Sequence, residues 1–160
     1  MPTSTYIPLA TTTLASSTAT VTFSSIPSSY RDLIVVCNFS NTADAEEVIY
    51  LKFNGDSSNG SMVGMRGNGS SAVSYTLGSM FMSYAGGVRT TKGNAIIQIQ
   101  DYSATDKHKT SLVRADISST KTEAMANRWA STSAVTSVSL VCQSTPFAIG
   151  STFSLIGIEA

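Results

Sequence analysis

The chain has a single histidine, His108, set in "TDKHKT" with Asp106, Lys107 and Lys109 around it. Nucleophilic catalysis needs a base held against a hydroxyl or thiol. An imidazole among three charged neighbours, in a polar stretch between two apolar runs, reads instead as a solvated loop residue. No G-x-S-x-G stretch occurs to present a serine at a sharp strand-to-helix turn. Glycoside hydrolysis needs two carboxylates facing each other across a cleft. Asp56, Asp101, Asp106 and Asp116 are spread over separate stretches, and their spacing pairs none of them.

The other chemistry-like patterns also lack their context. "GNGSSA", Gly67 to Ala72, has the letters of a phosphate-binding loop, but no βαβ unit or following helix is predicted around it, so it reads as a Gly-rich β loop. "NGDSSNG" offers Asn54, Asp56 and Asn59 as oxygen ligands. The bidentate Glu that completes a calcium loop is missing, and a turn is the better reading. One His and two distant Cys do not make a zinc ligand set. Cys37 and Cys142 each fall on the apolar face of a predicted strand and are expected as buried free thiols. Trp129, beside Arg128, has two readings: a stacking platform or interface anchor, or a cover over one end of a core, which is favoured. Met80, Met82 and Tyr84 share one face and read as core or subunit contact. No catalytic, metal or cofactor residue emerges, and a non-enzymatic protein is expected.

The elements that position these residues follow from composition and period. At 160 residues, the chain is long enough for one domain with a sizeable core. Ten basic and ten acidic side chains balance to zero, and charged residues are 12% of the chain, about half the usual fraction of about 25%. That balance argues against nucleic acid as a partner, since phosphate binding needs a basic surplus. It also gives a free monomer little protection against association. No stretch approaches the roughly 20 apolar residues of a membrane helix. The first residues lack the basic and apolar regions of a signal peptide.

Ser, Thr, Val, Ile, Phe and Tyr dominate, and apolar residues alternate with polar ones in short runs. Strands are expected over 18–26, 32–40, 47–54, 73–84, 94–101, 110–119, 134–143 and 151–158. Asn-Gly pairs and other turn residues separate them. The predicted fold is an all-β antiparallel sandwich, jelly-roll-like, over residues 18–160. "STKTEAMANRWAST" is left open between a short helical turn and no helix. The final alternation, with Phe153 and Leu155, reads as a strand tied into the sheet.

Residues 1–17, "MPTSTYIPLATTTLASS", carry no charge but hold Tyr6, Ile7, Leu9 and Leu14 between and after Pro2 and Pro8. A disordered tail is usually charged and poor in such residues. Two readings stay open: an extended arm that docks on a neighbour through Tyr6, Ile7, Pro8, Leu9 and Leu14, or a first strand of the sandwich. In either case the prolines exclude a central strand.

Three blocks together resemble a known family. They are "ATVTFSSIPSSYRDLIVV", "LKFNGD" with "RGNGSS", and the ending "RWASTSAVTSVSLVCQSTPFAIGSTFSLIGIEA". They are similar to a β-sandwich domain of structural proteins from tailed-bacteriophage virions. The opening block is carried by Phe23, Ile26, Pro27, Tyr30, Arg31, Asp32 and Leu33, and the closing strand by Gly150, Ser151, Phe153, Leu155, Gly157 and Ile158. The resemblance, with the short length, implies a capsid decoration (cement) protein on the outer head surface, made in the host cytoplasm. Implied partners are the major capsid protein and further copies of the chain, as a homotrimer. The alternative is a receptor- or glycan-binding domain of a head or tail fibre.

Overall fold

The structure, a computed structural model, describes residues 5–44, 47–84, 90–117 and 121–159. It is all-β. Among the described residues, twelve strands form two antiparallel sheets that pack as a sandwich around one apolar core.

The strands are β1 (Tyr6–Thr13), β2 (Thr20–Phe23), β3 (Asp32–Phe39), β4 (Ile49–Phe53), β5 (Gly60–Gly67) and β6 (Ala72–Leu77), followed by β7 (Phe81–Ser83), β8 (Gly93–Gln100), β9 (Lys109–Ile117), β10 (Lys121–Trp129), β11 (Val138–Cys142) and β12 (Thr152–Ile158). Eight of them make a large sheet in the order β1-β12-β3-β8-β9-β10-β5-β6. The other four make a small sheet in the order β2-β11-β4-β7.

Period-2 burial produces the core. Along β3, Leu33, Val35, Cys37 and Phe39 point inward and are essentially inaccessible. Ala95, Ile97 and Ile99 of β8 do the same beside them, and Phe153 and Leu155 of β12 on the other side. Leu51 and Phe53 of β4 and Val138 and Leu140 of β11 face them from the small sheet. Aromatic edges join the layers: Phe53 of β4 meets Trp129 of β10 edge-on at 5.8 Å between ring centres.

Several expectations need correction. The stretch 73–84 is two strands in different sheets, β6 in the large one and β7 in the small one. The segment left open as a helical turn is the nine-residue strand β10. Glu123, Met125, Asn127 and Trp129 face inward along it, while Ala124, Ala126 and Arg128 face outward. β5, for which no strand was expected, pairs with β10 along its whole length. Of 134–143, only Val138–Cys142 is strand. Residues 118 and 119 of the expected 110–119 strand lie outside the described residues, as do residues 1–4 of the expected arm.

Residues 6–13 lie along β12 as the edge strand β1. Pro8 is tolerated there because an edge strand has one side without hydrogen-bonding partners. The register shifts between Pro8 and Ala10, leaving Leu9 as the extra residue of a bulge. The closing strand β12 is therefore not an edge but the second strand of the large sheet.

Candidate functional site: the outward face of the large sheet

The residues singled out for chemistry are engaged in structural roles. Trp129 is buried, and its Nε1–H donates to Asp56 Oδ2 at 2.8 Å. Covered in this way, it offers no stacking platform. Asp56 sits in the β4–β5 turn, where its carboxylate also accepts the Ser58 N–H at 2.8 Å and the Asn59 side-chain amide at 2.7 Å. The Ser58, Asn59 and Trp129 bonds hold its carboxyl down at about 2. Asn54 uses its side-chain oxygen to accept the backbone N–H groups of Thr136 and Ser137, tying the same turn to the strand approach before β11. These oxygens serve the turn.

"GNGSSA" is the tip of the β5–β6 hairpin. Asn68 Oδ1 accepts the N–H groups of Ser70 and Ser71, and Gly69 takes a φ of +85° that favours glycine. His108 is exposed between β8 and β9, with its Nδ1 2.9 Å from an Arg128 guanidinium nitrogen. Asp101 accepts a bond from Lys107 in that same loop at 3.2 Å. Asp116 instead lies near the end of β9, 3.4 Å from the Asn94 amide. Cys37 and Cys142 are buried free thiols in different sheets. Burial raises both, Cys142 to about 12 with a contribution from the Glu47 charge. Neither is poised as a nucleophile.

The sandwich interior holds polar groups that the sequence reading passed over. Asn127 points inward from β10 and bonds both main-chain groups of Phe81 in the opposite sheet: it accepts the Phe81 N–H at 2.9 Å and donates to the Phe81 carbonyl at 3.1 Å. Glu123, four residues earlier on the same face, accepts the Tyr75 hydroxyl at 3.0 Å and the Tyr84 N–H at 3.1 Å. Burial and then the Glu123 charge push the Tyr75 hydroxyl well above its ordinary value. Glu47 accepts the N–H groups of Ser144 and Thr145, both at 2.7 Å. The available signal was polar residues spaced by two along β10, with Glu, Met, Asn and Trp at alternate positions.

An exposed apolar feature lies on the outward face of the large sheet. Because strands pair in register, outward side chains line up in rows across the large sheet. One row runs Val63, Ala126, Leu112 and Gln98 from β5 to β8. It continues through Ile34 and Ile156 to Pro8 on β1. The adjacent row runs Met65, Ala124, Arg114 and Ile96, then Val36, Ser154 and Thr11. Met65 is 63% exposed, Leu112 56%, Val63 54% and Val36 38%. On β5, β10, β9 and β8 the two rows line a groove of about 550 Å³.

Polar rows bound this band on each side. Ser61, Arg128, Thr110 and Gln100 form one border, and Thr122, Asp116, Asn94 and Asn38 the other. An apolar centre with a polar rim is the anatomy of a macromolecular contact. At about 4.8 Å per strand, seven strands extend the band to roughly 30 Å.

The five residues expected to dock fall into two groups. Tyr6 and Pro8 are exposed on β1, and Pro8 ends the apolar row. Ile7 is half-buried, Leu9 packs against the core from the bulge, and Leu14 is a core residue at 8% exposure. Leu14 is fixed there by backbone bonds: its N–H donates to Ser151 O, and its carbonyl accepts the Gly150 N–H. Compared with known proteins, the chain matches no family model, no curated protein and no solved structure.

Proposed function

We propose that the chain is a structural virion protein of a tailed bacteriophage, one that binds the outer surface of the head and stabilises contacts between capsomers. The observation that carries this reading is the two-row apolar band with polar borders on the outward face of the large sheet. A band of roughly 30 Å is too long for a small ligand and suits a protein surface. Its most exposed apolar part, Val63, Met65 and Leu112 around Ala124 and Ala126, is crossed at β8 and β9 only by Gln98 and Arg114, and an exposed apolar patch with polar neighbours marks an interaction site. The resemblance of the opening and closing blocks to virion sandwich domains supplies the partner, the major capsid protein. Contacts repeated by capsid symmetry gain strength through avidity, so each one can be modest.

The fibre-tip alternative is less well supported on one specific point. The single Trp, which the sequence offered as a stacking platform for a sugar, is covered by the sandwich, with its N–H bonded to Asp56.

The test uses two exposed residues of the band. Met65→Glu and Leu112→Glu place charge on the outward face without touching the core, so both variants should fold. Neither should decorate undecorated heads in a pelleting assay, whereas wild-type protein should. Normal decoration by both variants would overturn the band as the contact. Quantitative gels of purified virions test the location: hundreds of copies per particle fit a head protein, and a few dozen or fewer fit a fibre.

A further inference from the structure

The sandwich has four sheet edges among the described residues, and they are not equally protected. β1 carries Pro8 and a bulge. β2 has four residues and β7 three, and Asn127 already bonds the Phe81 main chain of β7. The remaining edge, β6, is six residues long with the sequence Ala-Val-Ser-Tyr-Thr-Leu. It has no charge and no proline, and its register with β5 is unbroken from Leu77 to Ala72. Natural proteins blunt exposed edges with charges, prolines, bulges or short strands. β6 has none of these, and the described residues place no strand on its outer side.

The side chains of β6 point the same way. Val73, Tyr75 and Leu77 alternate toward the inner side of the large sheet, where Tyr75 and Leu77 pack against the margin of the core. Val73 is 46% exposed, and Tyr75 and Leu77 are half-buried. A strand edge with no described strand beside it, flanked by alternate, half-covered apolar side chains, is what strand addition requires.

We infer that β6 is a self-association edge, pairing antiparallel with β6 of a second copy to join two large sheets into one. A two-fold axis normal to the sheet keeps the inner faces of both copies on the same side. Centred at Tyr75, it sets Val73 against Leu77 of the partner subunit, apolar opposite apolar. The occupant is a second copy because the segment is self-complementary in this way and carries no charge that would select a different partner. Such an axis joins copies in twos, so the homotrimer that the family resemblance implies would need another surface. The inference is independent of what the outward band binds.

Sedimentation velocity over a wide range of concentrations tests it. Wild-type chain is expected to form a dimer. Thr76→Lys, which places a charge on the edge with its side chain in solvent, should weaken dimerisation by roughly tenfold or more. Ser74→Pro blocks the main chain more directly, and thermal melting identifies any loss of fold in that variant. Thr11→Lys on the β1 edge should leave the dimer unchanged. A wild-type monomer, a trimer, or a dimer that is insensitive to Thr76→Lys would overturn the inference. So would a dimer lost equally with Thr11→Lys.

Discussion

The ring of Tyr30 occupies the space that a side chain at position 157 would need: a Cβ built on Gly157 would stand 2.5 Å from Tyr30 Cγ. Tyr30 precedes β3 and Gly157 lies near the end of β12, so this contact joins the opening and closing blocks of the domain. Neighbouring bonds reinforce it. The Arg31 N–H donates to Ile158 O at 2.9 Å, and Asp32 Oδ1 accepts the Asp101 N–H at 2.9 Å. The Tyr102 hydroxyl donates to the Pro27 carbonyl. Gly157→Ala should therefore destabilise the fold by about 1–3 kcal/mol, the usual cost of overpacking. In urea the midpoint should fall with the slope unchanged. Gly78→Ala meets nothing within 4 Å at a glycine without positive φ, and should be close to neutral. Adding Tyr30→Ala to Gly157→Ala should cost less than the sum of the two single changes, because the clash is already relieved.

The Asn127–Phe81 bonds connect the two sheets where β7 is too short to hold itself. Asn127→Leu fills a similar volume but leaves a buried N–H and C=O without partners, at about 1–3 kcal/mol for each unsatisfied group. A drop in melting temperature of several degrees is expected, at about 2–4 °C per kcal/mol for a chain of this size. Ser111→Ala, which removes only a secondary contact to the Asn127 amide, should cost clearly less.

The strand-rich fold was legible because inward positions in Asp32–Phe39 and Gly93–Gln100 are apolar or small, while Asn38, Asn94, Gln98 and Gln100 mark the outward side, even though Ile34, Val36 and Ile96 also face outward. β10 was not legible, because Glu123, Ala124, Met125 and Ala126 are good helix formers. Its tertiary setting between β5 and β9 overrides that preference. β5 was hidden for a related reason: four glycines, Gly55, Gly60, Gly64 and Gly67, lie in or beside it and read as turn signals. Gly64 is instead a packing residue, since a Cβ there would meet Met125 and the Tyr75 ring at 2.9 Å. The outward band was illegible for a deeper reason. Each outward position is unremarkable within its own strand, and only the register of seven strands lines them up.

Asp56 should contribute to the acid sensitivity of the fold. Its folded value, near 2, lies below the ordinary 3.8 because three bonds favour the carboxylate. A lowered carboxyl stabilises the fold fully above its unfolded value, and the contribution fades as the pH falls through the folded one. Stability against urea should therefore fall between about pH 4 and about pH 2 by less in Asp56→Asn than in wild type. Asp56→Ala should also cost more at neutral pH than His108→Ala. A solvated loop position would have given the two changes equally small effects, but Asp56 holds the buried Trp129 and His108 is an exposed residue beside Arg128.

The N-terminal segment should separate into a folding part and a surface part. Removing residues 2–17 takes away Leu14 and all of β1, leaving β12 with an open edge, so that truncation would mix loss of docking with loss of fold. Point changes keep the two apart. Leu14→Ala should cost about 2–5 kcal/mol, since it empties a core position held by two backbone bonds. Tyr6→Ser changes a side chain that is 58% exposed, and its effect on the urea midpoint should be far smaller. If the outward band and the exposed face of β1 contact the head together, Tyr6→Ser should still weaken decoration. A Tyr6→Ser protein that is stable and decorates normally would confine the contact to the band from β5 to β12. A Leu14→Ala protein as stable as wild type would instead show that residues 6–14 are held only loosely on β12, and would return the segment to the role of a free arm.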